Sequence, residues 1–269
     1  MRSGALAARF ERARAAAMSS QLYRSVFRHD WVDTARNRAL EVTSNAFLHL
    51  HPIHIPRHAI RICYTFCLGG LTFFLFLVET LTGVLLMFYY RPVPEYAYVD
   101  MKTLEHAVQF GATLRNLHRW GAHLMVILVM LHMLRVFLTG SYRPPREFNW
   151  VVGVSLLVLT LLLSFTGYLL PWDQLAFWAV TVGTNMAAAT PFVGAEGPFH
   201  TVLGVTARDD VRYLLLGDVQ VGANALLRFY VLHCVVLPLI AIVFIAVHFW
   251  RVQKDGGLTV REDDDRKRA

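Results

Sequence analysis

The sequence predicts an all-helical membrane protein whose centre is a bundle of four transmembrane helices. The chain of 269 residues is 55% hydrophobic and 17% charged, which is more apolar and less charged than an average soluble domain. Its apolar residues form four long runs, each able to cross a hydrocarbon core of about 30 Å at about 1.5 Å per residue. Its basic residues flank those runs, as a membrane topology requires.

We name the predicted spans helices A to D. Their predicted ranges are 62–90 for helix A, 114–138 for helix B, 150–170 for helix C and 227–252 for helix D. Helix C is expected to stop at Pro171, and Pro238 is expected to kink helix D, because proline removes a backbone hydrogen bond. The C–D loop, 171–225, is long for a structureless connection and is therefore predicted to be functional.

Three further segments flank or join these spans. Residues 1–61 form a basic extension in which arginines alternate with large apolar residues, which predicts an amphipathic helix on a membrane surface or, alternatively, a solvated basic arm. This extension lacks the apolar block of a secretory signal peptide, so we expect it to be retained. Four histidines between 49 and 58 lie among prolines and fit no single helix face, which favours a connector over a metal site. Residues 253–269 are predicted to be a charged C-terminal tail.

The distribution of charge predicts how the spans are oriented. The formal net charge is +7, and in a soluble protein such an excess favours nucleic-acid binding. Membrane topology explains it better here, so no nucleic-acid partner is expected. The N-terminal extension, the B–C loop and the C-terminal tail carry most of the basic residues, whereas the A–B and C–D loops carry few. Both termini are therefore predicted on the negative, cytoplasmic side.

Helices B and D carry histidines at similar intervals. His118 and His132 are 14 residues apart, and His233 and His248 are 15 apart. Both intervals are close to four helical turns, so the members of each pair share a helix face. One intramembrane histidine is more often a hydrogen-bonded residue inside a bundle, but two such pairs favour metal ligation. His123 lies on another face of helix B and is predicted not to be a ligand.

The order of the spans predicts which histidines face each other. Helices B and D both follow a loop on the positive side, so they run parallel. His118 is then paired with His233, and His132 with His248. Two facing imidazoles in a helix bundle make a six-coordinate haem iron site that transfers electrons rather than binding substrate. The predicted fold is therefore a four-helix bundle with two haems held between helices B and D.

Glycines repeat the same interval on the other two spans. Gly69 and Gly83 are 14 apart on helix A, and Gly153 and Gly167 are 14 apart on helix C. Because glycine lets a backbone approach a flat macrocycle closely, these positions are predicted to make room for the haems. Basic residues beside the ligand histidines are candidate partners for haem propionates, or else ordinary interfacial arginines; they are Arg115, Arg119 and Arg135.

Several motifs together resemble the N-terminal half of the cytochrome b family, and most closely its short b6 form. The resemblance covers roughly residues 55–257. The motifs are Cys67-Leu-Gly-Gly70, Phe88-Tyr-Tyr-Arg-Pro92, His118-Arg-Trp120, His132-Met-Leu-Arg-Val136, Pro145-Arg-Glu147, Gly167-Tyr-Leu-Leu-Pro-Trp-Asp-Gln174, Trp178-Ala179 and Arg228-Phe-Tyr-Val-Leu-His233. The 15-residue histidine interval on helix D is also similar to the b6 form.

The resemblance implies a redox subunit of a quinol:cytochrome c oxidoreductase that translocates protons. A quinol is oxidised on the positive side, and one electron passes to a Rieske iron–sulfur protein and on to a c-type cytochrome. The other electron crosses through haem b at His118 and His233, then haem b at His132 and His248, to a quinone on the negative side. Residues that would wall the quinol site are Tyr168, Pro171, Trp172 and Asp173.

The family's Pro-Glu-Trp-Tyr segment belongs to the second half of the protein and is absent from this chain. The resemblance therefore implies a separate partner similar to subunit IV, within a dimeric complex in the lipid bilayer. The long N-terminal extension, extra residues around 199–217 and the extra tail 261–269 favour a bacterial relative in the cytoplasmic membrane. The alternatives are a di-haem membrane anchor of a dehydrogenase or hydrogenase and, from another class, a haem-free structural or transport subunit.

Cys67 has a second implied role. All three cysteines lie in apolar segments, and no disulfide framework or haem-attaching Cys-x-x-Cys-His motif is present. Cys67 aligns with the cysteine that, in b6-type proteins, attaches a third, c-type haem by one thioether. The alternative is a buried apolar thiol. One departure from the family is that the expected Arg-Lys pair after the last histidine is Gln253-Lys254.

Overall fold

The computed structural model describes residues 2–20, 34 and 62–255. These residues form helices and turns with no strand among them, and four of the helices are long and apolar enough to cross a membrane. The predicted fold class is confirmed. The four spans are Leu68–Met87 for helix A, Gly111–Leu138 for helix B, Glu147–Leu169 for helix C and Ala223–Lys254 for helix D.

The chain divides into two units, Met1–His49 and Leu50–Ala269. In the first unit the described segment is the helix Arg2–Ser19, whose residues 8–16 are exposed. The remainder of the predicted surface extension, the histidines between 49 and 58, and the tail beyond Asp255 lie outside the described residues.

The prediction of one continuous helix A from residue 62 to 90 is wrong. A short helix, Ile62–Thr65, is followed by a break, and helix A begins at Leu68 and ends at Met87. Phe66 and Cys67 have φ angles of 50° and 51°, in the left-handed region that a right-handed helix does not use. Neither residue is a glycine or a proline, so the local sequence gave no signal of this break.

Helix D is distorted in front of its proline. It consists of an α-helical segment Ala223–Val231, a π turn Leu232–Val236 and a second segment Leu237–Lys254. The Leu237 amide donates to the Leu232 carbonyl, an i→i+5 bond that takes in one more residue than an α-turn. Pro238 follows directly, so the backbone bond that the proline cannot make is accommodated by this wider turn.

The two ends of the bundle differ in how much protein covers them. The end formed by the A–B and C–D loops, here the loop end, carries the helices Pro94–His106, Gln174–Ala188 and Val211–Leu216. The other end, formed by the B–C loop and the C-terminal side of helix D, is here the tail end. Buried apolar residues cluster at the loop end, where loop helices pack on helices C and D; one cluster contains Leu169, Val180, Leu216, Ala225 and Phe229. Along the spans many large apolar side chains are exposed, as expected for surfaces that face lipid.

Polar contacts also hold the loop end together. The Arg91 guanidinium donates to both carboxylate oxygens of Asp100, at 2.9 and 2.6 Å, and this pairing holds the pKa of Asp100 below its usual range. The Tyr90 hydroxyl donates to the Leu170 carbonyl at 2.6 Å and ties the end of helix A to the end of helix C. The Asp210 carboxylate caps the helix Val211–Leu216 by accepting from the Tyr213 amide at 2.7 Å.

Candidate functional site

The four helical histidines lie in two facing pairs. The ring centroids of His118 and His233 are 6.2 Å apart, and those of His132 and His248 are 6.5 Å apart. With metal–nitrogen bonds of about 2 Å and about 1 Å from ring nitrogen to ring centroid, two imidazoles that share one iron have centroids about 6 Å apart. The residues present therefore fit a six-coordinate haem iron at each pair.

Hydrogen bonds at the loop-end pair fix which nitrogen of His118 carries the proton. His118 Nδ1 lies 2.9 Å from Thr82 Oγ1 and 3.0 Å from Glu79 Oε2. The Thr82 hydroxyl donates to the Val78 carbonyl at 2.7 Å, so its oxygen is left to accept. With acceptors on this side, Nδ1 carries the proton and Nε2 keeps the lone pair that a metal needs.

His233 has a similar environment on helix C. Its Nδ1 lies 3.1 Å from the Leu163 carbonyl oxygen and 3.2 Å from Thr166 Oγ1. The Thr166 hydroxyl donates to the Leu162 carbonyl at 2.8 Å, so both neighbours of Nδ1 are acceptors. The Nε2 atom of His233 is therefore also free to ligate a metal.

The tail-end pair has no such partners in the part of the chain that the structure describes. Nδ1 of His248 is buried and has no hydrogen-bond partner among the residues that the structure describes. Thr82 and Thr166 each directly precede one of the predicted glycines at the loop end. At the tail end, the residues that precede the corresponding glycines are Leu68 on helix A and Val152 on helix C. Neither side chain can accept a hydrogen bond, which explains the difference between the two ends.

Three of the four predicted glycines contact a histidine ring. A Cβ atom added at Gly69 would lie 3.3 Å from His132 Cε1, one at Gly83 would lie 3.2 Å from His118 Cε1, and one at Gly167 would lie 2.5 Å from His233 Cε1. Helices A and C thus approach the histidines closely because these positions have no side chain. Gly153 differs, since its nearest neighbour is Met133 Sδ at 3.5 Å rather than His248.

The three predicted propionate partners have different surroundings. Arg115 is paired with Glu105 of the A–B loop helix. Arg135 donates to the Tyr64 carbonyl at 3.3 Å and stacks on the Tyr64 ring, while its Nη2 is buried with no partner among the described residues. Arg119 is exposed, as is His123, whose ring packs edge-on against Trp120 with the ring centroids 5.5 Å apart.

The predicted quinol-site residues lie in the last turn of helix C and in the connection from there to the loop helix Gln174–Ala188. Trp172 has a φ of 52°, a strained conformation for a bulky residue and one found preferentially at functional sites. Asp173 caps the loop helix, because its carboxylate accepts from the Ala176 amide at 2.8 Å. Tyr168 is 53% exposed, and Pro171 lies between it and Trp172 in the turn.

Cys67 lies at the break before helix A, with its thiol exposed. A Cβ atom at Gly70 would lie 2.9 Å from Cys67 Sγ, so the glycine leaves room beside the sulfur. Gly69, two residues after Cys67, contacts His132. The thiol is therefore at the tail end of the bundle, close to one of the histidine pairs.

Sequence reasoning missed Glu79, Thr82 and Thr166, which surround the loop-end histidines. Glu79 had a clear signal, because it is the one acidic residue of the four spans apart from Glu147 at the start of helix C. An ionisable residue inside a span is by default a functional candidate. The threonines gave a weaker signal, since threonine in a membrane helix usually bonds its own backbone.

The family of the chain follows from its similarity to known proteins. Residues 55–256 match the family model described as cytochrome b/b6/petB. The chain is 46% identical over 206 residues to cytochrome b6 of Heliobacterium mobile, which covers 77% of this chain and 88% of that protein. The chain belongs to the cytochrome b family. Cytochrome b6 of Porphyra purpurea is 42% identical over 203 residues, covering 76% of this chain and 86% of the other.

A solved structure of a hyperthermophilic respiratory Complex III supports the same fold. It superposes with a TM-score of 0.67 at 24% identity and covers 84% of this chain and 54% of that one, so this chain spans about half of its length. The chain is thus a cytochrome b subunit of the bc/b6f type, the redox subunit of an oxidoreductase complex. Membership of this family decides against the di-haem anchor and the haem-free subunit.

Proposed function

We propose that this cytochrome b carries two haem b groups, one held by His118 and His233 and the other by His132 and His248. The observation that carries the proposal is that both pairs face each other at centroid distances of 6.2 and 6.5 Å. When bound, the haems supply two one-electron redox centres, one toward each membrane face. The histidines hold the iron, and their neighbours orient the rings.

The activity we propose is electron transfer from a quinol to a c-type cytochrome, coupled to proton translocation. Oxidation of a quinol to a quinone releases two electrons and two protons. One electron leaves to a Rieske iron–sulfur protein, and the other crosses this chain to a quinone on the opposite side. Proton release at one face and proton uptake at the other follow from the separation of the two quinone reactions.

The loop end is the proposed side of quinol oxidation. Tyr168, Pro171, Trp172 and Asp173 form one wall of the pocket, and the strained Trp172 backbone and the Asp173 cap fix the shape of that wall. A partner similar to the C-terminal half of cytochrome b would supply the rest. Asp173 is engaged as a helix cap, so its proposed role is to hold the wall rather than to move a proton.

The tail end is the proposed side of quinone reduction and of a third haem. An exposed thiol at Cys67, close to the pair that contains His132, supports a c-type haem attached by one thioether. The buried Nη2 of Arg135, without a partner among the described residues, supports contact with a haem propionate, as Arg115 and Arg119 are proposed to make at the loop end.

The proposed setting is the bacterial cytoplasmic membrane, with both termini on the cytoplasmic side and the complex a dimer. Residues 1–61 would lie on that membrane surface, residues 62–252 would form the di-haem bundle, and residues 253–269 would be a charged tail. The basic residues of both terminal segments support this orientation.

Purification of the intact complex from its native membrane tests the proposed function. We expect two b-type haems per chain in a pyridine haemochrome assay, two transitions in an optical redox titration, and quinol-dependent reduction of a c-type cytochrome. A complex that contains this chain but no haem b would contradict the proposal. A complex that contains both haems but shows no quinol-dependent activity would indicate a redox subunit with a different electron donor.

A further inference from the structure

The loop-end histidine pair has an acidic neighbour that the proposed electron path does not require. Glu79 is on helix A, about 12 Å from the loop end of that helix at about 1.5 Å per residue. Its side chain is 14% exposed, and one carboxylate oxygen, Oε2, lies 3.0 Å from His118 Nδ1. An acidic residue at this depth in a span is costly and calls for an explanation.

The packing of Glu79 adds to that cost. Its second oxygen, Oε1, is buried without a hydrogen-bond partner among the described residues. A Cβ atom at Gly121 of helix B would collide with this oxygen, so the carboxylate fits between the two helices because residue 121 is glycine. An unsatisfied buried polar atom costs about 1–3 kcal/mol. This arrangement therefore reduces the stability of the fold. A compensating function is expected at His118, the residue that Glu79 contacts.

A hydrogen bond donated by Nδ1 changes the redox properties of the metal that the histidine binds. An acceptor at Nδ1 raises the basicity of the imidazole and so stabilises the more positive, oxidised iron. A carboxylate is a stronger acceptor than a hydroxyl or a carbonyl, because its hydrogen bonds are charge-assisted. His118 has Glu79 in addition to Thr82, whereas His233 has Thr166 and a carbonyl, and Nδ1 of His248 has no partner in the described part of the chain.

We propose that Glu79 is a positioning residue that accepts a hydrogen bond from His118 and thereby lowers the midpoint potential of the loop-end haem relative to the tail-end haem. The inference rests on the proposed function, since it requires that both pairs hold haem. Because electrons move toward the higher potential, the carboxylate biases transfer from the loop end to the tail end. In this role Glu79 accepts the hydrogen bond of His118 and transfers no proton.

The test is an optical redox titration of the intact complex with Glu79→Gln, which keeps the size of the side chain and replaces its carboxyl group with an amide. The loop-end transition is assigned beforehand as the one missing in His118→Ala. We expect this transition to move to a more positive potential, while the tail-end transition stays where it is in the unaltered complex. Glu79→Leu, which removes the acceptor altogether, is expected to produce a larger shift in the same direction.

A matched control comes from the adjacent residue. Thr80 is exposed and donates to the Phe76 carbonyl of its own helix at 2.8 Å, so Thr80→Val is expected to move neither transition. An unchanged loop-end potential in Glu79→Gln, or equal shifts of both haems, would overturn the proposal. If Glu79→Gln does not retain haem, Glu79→Asp decides: a positive shift confined to the loop-end haem supports the role, and an unaltered potential contradicts it.

The failure of this inference is distinguishable from the failure of the proposed function. Two haems in the unaltered complex, with potentials insensitive to residue 79, would remove the role of Glu79 alone. A complex without two b-type haems in the haemochrome assay would remove the proposed function and this inference with it.

Discussion

The loop end and the tail end of the bundle offer the same facing imidazoles but surround them differently. At the loop end, Nδ1 of His118 and Nδ1 of His233 both lie beside acceptors, whereas at the tail end Nδ1 of His248 is buried with no partner among the described residues. The difference arises one residue before each glycine, where Thr82 and Thr166 correspond to Leu68 and Val152. The spacing of about four helical turns therefore places histidines at both ends of the bundle. Single neighbouring residues determine whether Nδ1 of each histidine has a hydrogen-bond acceptor.

The largest expected effect comes from removing the ligands. His118→Ala and His233→Ala are each expected to reduce haem b from two per chain to one, because the haem would then be held by a histidine from one helix instead of two. Haemochrome stoichiometry and redox titration measure which haem remains. His132→Ala and His248→Ala are expected to remove the other haem. If substitutions of the two members of one pair removed different haems, the assignment of one haem to each end of the bundle would be wrong.

The next largest effect is expected at Cys67, and only at the tail end. Cys67→Ser is expected to abolish covalent haem completely, since serine cannot form a thioether, while both b haems stay bound. Haem staining after denaturing electrophoresis measures this directly. Cys234→Ser in helix D is the matched control and is expected to leave the covalent band unchanged. Absence of a stained band from the unaltered protein would remove the third haem.

A smaller effect is expected where the glycines contact the histidines. Gly167→Ala places a Cβ atom 2.5 Å from His233 Cε1, and overpacking of this kind costs about 1–3 kcal/mol. The loop-end haem is then expected to be bound roughly 10-fold or more weakly, since about 1.4 kcal/mol corresponds to a factor of ten. Haem retention on dilution or mild denaturation measures the loss.

Gly153→Ala is the control for that substitution. Its Cβ atom would lie 3.5 Å from Met133 Sδ, an ordinary contact with a flexible side chain. Little loss of haem is expected at the tail end. Equal losses in the two variants would mean that the glycine contacts do not distinguish the two ends.

The smallest effect is expected from the threonine on helix C. Thr166→Val removes one acceptor from His233, and a hydrogen bond worth about 0.5–1.5 kcal/mol corresponds to at most about 65 mV for one electron. We expect a positive shift of the loop-end potential within this limit. Thr160→Val is the matched control, because Thr160 is buried on the same helix and bonds the Leu156 carbonyl at 2.8 Å. A shift in both variants would point to a general loss of packing.

The parts of the site that depend on residue spacing along a single helix were predictable from the sequence. The positions of His118 and His132, and of the glycines on helices A and C, follow from the regular rise and turn of a helix. The break at Phe66 and Cys67 was not predictable, because two non-glycine residues adopt left-handed backbone angles there. The loop helices were missed because packing at the loop end, and not their local sequence alone, stabilises them.

The unequal histidine intervals show where the tertiary structure was needed. His118 and His132 are 14 residues apart on a regular helix, whereas His233 and His248 are 15 apart and His233 lies within the π turn Leu232–Val236. The wider turn absorbs the additional residue, so both helices present their histidines at matching depths. Pro238 marked a distortion in the sequence, but its form was visible only in the structure.

The sequence by itself determined the membrane bundle, the four spans, the candidate ligands and the family, because all of these depend on composition, on spacing along one helix, or on short motifs. Only the tertiary structure decided which residues meet across helices, such as Glu79 beside His118 and Gly153 beside Met133. Such contacts depend on the rotation and approach of neighbouring helices. Those quantities are set by the packing of many residues together and cannot be read from any one segment.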